Sequence, residues 1–529
     1  MDADRPALGR DSRWAAAAPL AFVAVLVAWP VAMVLVMGLG TGSLTVLESA
    51  STWRILGYTA AQAAVSTLLS LALALPVAYA VARLRLPLRR TLLAIITVPF
   101  ILPTVVVGLA FRELLPFPGT TAAIIVAHVF FNVGLVVRVV SGLWEKVDPR
   151  YDDVANSLGL ASWARFRRVT LPLIQPALLA SSVLVFLFCF TSFGVVLVVG
   201  DPALPTIEVE IYQRAMQRLD LSGAATLALL QLLVVVAAVV VSSRLQERLS
   251  IRQRLHSGEE RRGVAGAGNT AAAMWSYALA LLIAIPLAAL LARSLRVGES
   301  WGTTWYAQVF APTDQTTRSV PLLQSVELSV RYAAIATFVA VGLGLLACIG
   351  IQAARRRGTW VDALVTLPLG VSAVTIGLGL LLASLRSPID LRGWWLLIPL
   401  GQALVAMPVV VRVVLPILRS FDPRMRDVAA TLGAPPMRAW LSTEGAATAK
   451  AVGVAAALAC AISLGEFGAT AFLVRLDTPT IPVQVVRLLG RPGEANVGQA
   501  AALSCILVAI TLVIVSLGER LRPRKGGGW

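Results

Sequence analysis

Few side chains in this 529-residue chain could do chemistry, and those few stand in apolar surroundings. Glu466 is a carboxylate inside an uncharged run, 464-LGEFGAT-470. His128 and Asn132 lie four residues apart, on one face of a helix. Ionisable and strongly polar groups are expensive at membrane depth, which makes each a functional candidate. Glu466 can meet a cationic substrate or pair with a donor on a neighbouring helix. His128 and Asn132 can line a solute pathway or hydrogen-bond between helices. None of them is arranged for catalysis. No nucleophile stands beside a base, and no metal-ligand spacing occurs. Cys189, Cys348, Cys460 and Cys505 fall in apolar runs without paired spacing, where cysteine acts as a small apolar residue. The chain has no GxxxxGK[ST] loop to cradle nucleotide phosphates. The chemistry on offer is recognition and passage, not bond making.

A second candidate is polar. The stretch 151-YDDVANSLGLASWARFRRVTLP-172 lies between two uncharged walls. Asp148-Pro149 suits a helix start, because Asp can accept terminal amide hydrogen bonds and Pro is favoured in the first turn. Val154, Ala155, Leu158 and Gly159 recur at helical spacing and predict one small, smooth face, with Ala155 and Gly159 admitting another backbone. Leu171-Pro172 is expected to end the segment. Such a stretch is either a solvated connector or a short rigid helix that docks in a partner's groove and transmits force.

The elements that hold these groups are helices in lipid. The chain is 58% hydrophobic and 14% charged, with mean hydropathy +0.81. A bilayer core about 30 Å thick needs roughly 20 apolar residues, and helices are the sensible spanning form for such runs. Twelve spans are expected, near 15–38, 57–82, 91–111, 122–144, 176–200, 222–243, 274–292, 326–352, 361–383, 394–418, 449–474 and 496–517. The first reads as a retained helix rather than a cleaved signal. The net charge of +17 is concentrated in alternate connections, the positive-inside pattern, which puts both termini in the cytoplasm. That places 83-RLRLPLRR-90, Arg244–Arg262, 355-RRR-357 and 520-RLRPRK-525 against anionic lipid heads, with no nucleic-acid partner. Arg138 and Arg412, near span ends, are expected to snorkel. Glu208 and Glu210 are read just outside a span, as a solvated loop or a docking point for a delivery protein.

The chain repeats itself. The stretch 137-VRVVSGLWEKVDPRYDDVANSLG-159 returns 274 residues later as 411-VRVVLPILRSFDPRMRDVAATLG-433. The same offset pairs Ser192 with Glu466, Phe193-Gly194 with Phe467-Gly468, and 205-PTIEVEIY-212 with 479-PTIPVQVV-486. Upstream, Pro99 and Gly108 pair with Pro368 and Gly377 at an offset of 269. The expected fold class is an all-α integral membrane protein of two parallel six-helix repeats. The domains are a first half over 1–250, a linker over 251–273 and a second half over 274–529. A polar segment kept twice at one spacing favours the docking helix over the connector.

Here a family resemblance becomes specific. Asp153, Val154 and Ala155, then Gly159, then Leu171 and Pro172, resemble the EAA loop of permease subunits of ATP-binding-cassette (ABC) importers. That loop runs Glu-Ala-Ala, three residues, Gly, a spacer and an Ile/Leu-Pro pair. The second copy keeps Asp427, Val428, Ala429 and Gly433, but Gly445-Ala446 replace Leu-Pro. The resemblance spans nearly the whole chain and implies a type I importer permease with two coupling helices, the second contacting its partner less strongly or differently. It implies no catalytic residue, metal or cofactor in this chain. ATP and magnesium would sit on two copies of a partner ATPase, and an extracytoplasmic binding protein would deliver the solute. Fused permeases of this length are similar to the thiamine and ferric-iron branch. The stretches 127-AHVFFN-132, 206-TIEVEIY-212 and 228-ALLQ-231 are nearest to thiamine-carrying members. Ser192, Glu466, His128 and Asn132 are then the candidate substrate pathway. The competing class is a twelve-span secondary transporter, which more often shows ionisable groups in several spans. A membrane-embedded enzyme lacks any constellation to support it.

Overall fold

The computed structural model describes residues 14–40, 45–249, 261, 263–311, 321–354, 358–388, 391, 393–422 and 424–521. Residues 251–260 and 262 of the linker, the basic run 355–357 and the tail beyond 521 lie outside the described residues. Among the described residues ten helices are long and apolar enough to cross a membrane: Trp14–Gly38, Ala50–Arg83, Thr121–Trp144, Ser162–Phe190, Leu221–Gln246, Ala267–Leu295, Leu322–Ala353, Leu397–Arg419, Arg438–Gly465 and Glu494–Arg520. At about 1.5 Å per residue the 34-residue helix Ala50–Arg83 is roughly 50 Å long, more than a hydrocarbon core requires. One short antiparallel pair, Arg296–Val297 with Ser300–Trp301, departs from the all-helical expectation.

Two of the twelve expected spans are not continuous helices. The run 91–111 folds as Arg89–Ile101 and Thr104–Leu114, bent by 103°. Its repeat, 361–383, folds as Gly358–Thr366, a 3₁₀ turn over Leu367–Gly370 and Ala373–Arg386. The cause is local. Pro99 and Pro368 sit in the 3₁₀ turns, and Pro103 precedes Thr104, so the amides and φ freedom an α-helix needs are missing. The described residues therefore hold ten candidate spans, or eleven with the bent pair. Two further spans break near one end. Phe190 ends one helix and Gly194–Val199 forms a separate turn, while Gly465 ends its counterpart before Thr470–Leu473.

Contacts divide the chain into two compact units. One holds Met1–Val46, Ile211–Leu229 and Ser294–Gly526; the other holds Leu47–Glu210 and Leu230–Arg293. The expected halves follow the sequence repeat, whereas these units cross it: each contains a leading helix from the other half. In the first unit, a Cβ on Gly379 would stand 2.7 Å from Pro30 Cβ, and one on Gly350 2.6 Å from Ala16 Cβ. In the second, Trp275 Nε1 donates to Leu73 O at 3.0 Å, and the Tyr79 hydroxyl donates to Asn269 Oδ1 at 2.8 Å.

Inside each unit the sequence repeat becomes a repeat of contacts. Ile207 N–H donates to Thr59 Oγ1 at 3.0 Å, and Ile481 N–H to Ser329 Oγ at 2.7 Å. A Cβ on Gly108 would press on Val198 and Val195, and one on Gly377 on Phe472 and Ala469. The second approach is the tighter for the backbone, 2.7 Å from Ala469 Cα. Gly377→Ala is therefore expected to destabilise the protein by about 1–3 kcal/mol, since backbone must move. Gly57→Ala, in a helix with nothing within 4 Å of the new methyl, is expected to stabilise it slightly. Thermal unfolding of the two purified variants in detergent checks both signs.

Candidate functional site

The polar segments fold as two short helices with matching ends. Arg150–Ser157 and Arg424–Thr431 each begin after an aspartate that accepts the Arg N–H: Asp148 Oδ1 at 2.9 Å and Asp422 Oδ1 at 3.0 Å. Each ends on a glycine in the left-handed region, Gly159 at φ 72° and Gly433 at φ 83°. The next amide then closes the helix end: Leu160 N–H to Ala155 O and Ala434 N–H to Ala429 O, both 3.1 Å. This is the Schellman geometry, so the motif glycine is there for its backbone. A Cβ on either glycine would meet nothing within 4 Å, so no second backbone is packed there.

The single smooth face expected of Val154, Ala155, Leu158 and Gly159 is divided. Ala155 is buried, while Val154 is 59% and Leu158 74% exposed. With Tyr151 they form an exposed apolar stripe at i, i+3 and i+7. The second helix presents the same stripe through Met425, Val428 and Leu432. Asp153 and Asp427 are exposed, and Ala429 is half-buried. The first helix is tied to the chain that follows it: Arg165 donates to Asn156 Oδ1, and Thr170 Oγ1 donates to Asp152 Oδ1 at 3.4 Å.

Leu171-Pro172 does not end the segment. A helix runs unbroken from Ser162 to Phe190, passing through a wide π-helical turn at Phe166–Thr170 just before the proline. The second copy makes the same turn at Leu441–Gly445 with no proline beside it. The turn belongs to the place in the fold and not to Leu-Pro, since the second copy makes it without that pair.

The polar residues at membrane depth fall into separate groups. Glu466 is buried where the helix Ala446–Gly465 stops. Its Oε1 accepts Ala469 N–H at 2.7 Å, and its Oε2 accepts the N–H of Thr470 at 3.0 Å and the Thr470 hydroxyl. The carboxylate thus caps the short helix Thr470–Leu473, engaged by its own chain in place of a neighbouring helix's donor. Ser192, its repeat partner, is half-buried in the corresponding break. His128 and Asn132 are buried and lie in one cluster with Gln62, Ser66 and Cys189.

Glu208 and Glu210 correct the expectation of an outer loop: both are buried, Glu208 completely. They lie on the helix Ile207–Tyr212, and Gln231 donates to Glu208 Oε1. Two glutamates in a short window look solvated, and the glutamine that donates to one of them lies on another helix, distant in sequence. Arg138 is exposed, and Arg412, 59% exposed, reaches Thr366 Oγ1 at 3.3 Å and Asp362 at 3.9 Å. Among the described residues no group of three or more His, Cys, Asp or Glu could hold a metal, and all four cysteines are free thiols.

Long apolar helices, broken spans and paired, capped polar helices define a multi-pass helical membrane transport protein. Residues 70–255 match the family of binding-protein-dependent transport system inner membrane components. The thiamine transport system permease protein ThiP of Brucella abortus (strain 2308) is 27% identical over 533 residues, covering 95% of this chain and 94% of that protein. The protein of the same description from Escherichia coli (strain K12) is 26% identical, over 89% of this chain and 90% of its own. The molybdenum transport system permease protein ModB of Mycobacterium bovis is 32% identical over 243 residues, 42% of this chain but 86% of that protein. The chain belongs to the binding-protein-dependent transport system inner membrane components. It is the permease of an ABC importer, a multi-pass inner-membrane protein that is not itself an ATPase. Membership implies an ATPase and a binding protein as partners. ModB aligns over most of its own length to less than half of this chain.

Proposed function

We propose that this permease carries thiamine inward. The observation that carries the reading is the full-length likeness to thiamine permeases, at 95% coverage of this chain, where the molybdenum permease aligns to under half. In this reading the chain is two parallel six-helix repeats with cytoplasmic termini. A binding protein delivers thiamine outside, two ATPase subunits close on ATP and magnesium, and the halves rock to release the solute inside.

The stripes headed by Val154 and Leu158, and by Val428 and Leu432, dock in grooves of the two ATPase subunits. The caps at Asp148 and Gly159, and at Asp422 and Gly433, keep each helix short and rigid enough to transmit the stroke. Ala155 and Ala429 seat the helices, and Asp153 and Asp427 put negative charge at their N-terminal turns. Leu171 and Pro172 begin the α-helix that carries motion from the wide turn into the span. His128 and Asn132 line the pathway, while Glu466 and Ser192 mark the breaks where the spans can bend.

Reconstitution with the ATPase and binding protein in proteoliposomes tests the substrate. ATP-dependent uptake of labelled thiamine is expected, with none of ferric iron, sulfate or molybdate. Uptake of one of those ions in place of thiamine would sink the reading.

A further inference from the structure

In the unit holding Leu47–Glu210, Gln62, Ser66, His128 and Asn132 form one connected network around Cys189. Gln62 Nε2 donates to Thr59 O and Cys189 O, both at 3.1 Å. Asn132 Nδ2 donates to His128 O at 2.8 Å and lies 3.4 Å from Cys189 Sγ. Ser66 Oγ stands 3.4 Å from His128 Nδ1. Gln62, His128 and Asn132 are all at least 98% buried. Yet Gln62 Oε1, Asn132 Oδ1 and His128 Nε2 meet no hydrogen-bond partner among the described residues. Buried side-chain polar atoms are paired in the large majority of cases. Three on one network point to a guest.

The network also says what kind of guest. Both amide nitrogens are spent on the protein, so what remains open is two carbonyl oxygens and one imidazole nitrogen. Open carbonyl acceptors repel an oxyanion, and without a carboxylate they hold a metal ion poorly. They suit a neutral amino group, which has two N–H bonds to give.

The other unit shows that the place matters. At the repeat positions, Gln402 stands for His128 and Ser463 for Cys189. Both are buried, with Gln402 Oε1 and Ser463 Oγ again unpartnered among the described residues. Counted from Thr59 and Ser329, the matching acceptors of Ile207 and Ile481, Tyr332 and Ala336 replace Gln62 and Ser66, and Ala406 replaces Asn132. The acceptor pair is present in the first repeat alone.

We propose that Gln62, His128 and Asn132 form a subsite that accepts hydrogen bonds from an amino-substituted nitrogen heterocycle, which for thiamine is the exocyclic amino group of its pyrimidine. This rests on the thiamine reading above. The test compares uptake of thiamine and of its 4-oxo analogue, which lacks that amino group, after measuring the binding protein's own preference between them. The wild-type transporter is expected to favour thiamine by at least about tenfold beyond that preference, as a site built to hydrogen-bond one group rejects the analogue without it.

Asn132→Ala and His128→Gln, which install what the other repeat already carries at Ala406 and Gln402, are expected to erase the margin. They should raise KM for thiamine with a smaller change in Vmax, at an unchanged unfolding midpoint. Gln62→Met is expected to act in the same way. Variants that keep both margin and KM, or lose uptake only by unfolding at lower temperature, make the network structural and overturn the subsite. A wild-type transporter that takes up neither probe overturns the thiamine reading and the subsite together.

Discussion

Leu158→Asp and Leu432→Asp, combined in one chain, abolish ATP-driven uptake while the protein still inserts and folds. Both side chains are largely exposed, so neither substitution touches the packing of the bundle, and each should change stability by no more than about 0.5 kcal/mol. Docking is where the cost falls. An aspartate pressed into an apolar groove must shed its hydration without a partner, and about 3 kcal/mol there is a loss of roughly two decades in affinity. Co-purification of the ATPase with the permease reads the docking, and uptake reads the consequence. The single variants carry extra information. Both helices share the aspartate cap, the left-handed glycine and the wide turn, so each single variant is expected to cost a similar amount despite the missing Leu-Pro in the second copy. Normal co-purification of the double variant would remove the docking role.

Glu466→Leu is expected to destabilise the protein by about 3–5 kcal/mol. It leaves the N–H groups of Ala469 and Thr470 and the Thr470 hydroxyl buried without their acceptor, at about 1–3 kcal/mol for each group left unsatisfied. Glu466→Gln keeps one acceptor oxygen and should lose about half as much. Unfolding midpoints in detergent check the order: wild type, then Gln, then Leu. If the Leu variant melts like the wild type and fails only in transport, the carboxylate serves the solute and not the helix end.

Much of this molecule is legible in its residues, and what was not has physical reasons. Long uncharged runs mark lipid-crossing helices because the bilayer admits little else, and ten of the twelve expected runs correspond to long helices. The other two needed the prolines weighed against the hydropathy. Pro99 and Pro103 lie four apart in a run whose apolar content alone predicts one straight helix. The polar helices were readable in place and the Asp-Pro start matched the N-terminal caps, while Gly159, read as admitting another backbone, is instead the helix end. Which face is buried was not readable, because Ala155 and Val154 are both apolar and only the packing of the next helix selects between them. Glu466 stood out as a carboxylate in an apolar run. Its engagement by amides three and four residues ahead depends on the helix stopping at Gly465, which composition does not announce. Glu208 was misjudged for the complementary reason: its partner Gln231 is local in space alone.

The one-sided polar network has a consequence for the shape of what can be recognised. In a transporter made of two identical half-length chains, each side chain near the twofold axis faces its own twin, and every mutation is copied across. Such surroundings are self-complementary and cannot distinguish the two ends of a guest. Fusing the halves ends the copying. Here Gln62 and Asn132 have no amide twins and Ser66 has no hydroxyl twin, since Tyr332, Ala406 and Ala336 occupy the corresponding places. A single polypeptide can therefore hold a ligand with two unlike ends in one preferred sense, a directionality that symmetry would forbid.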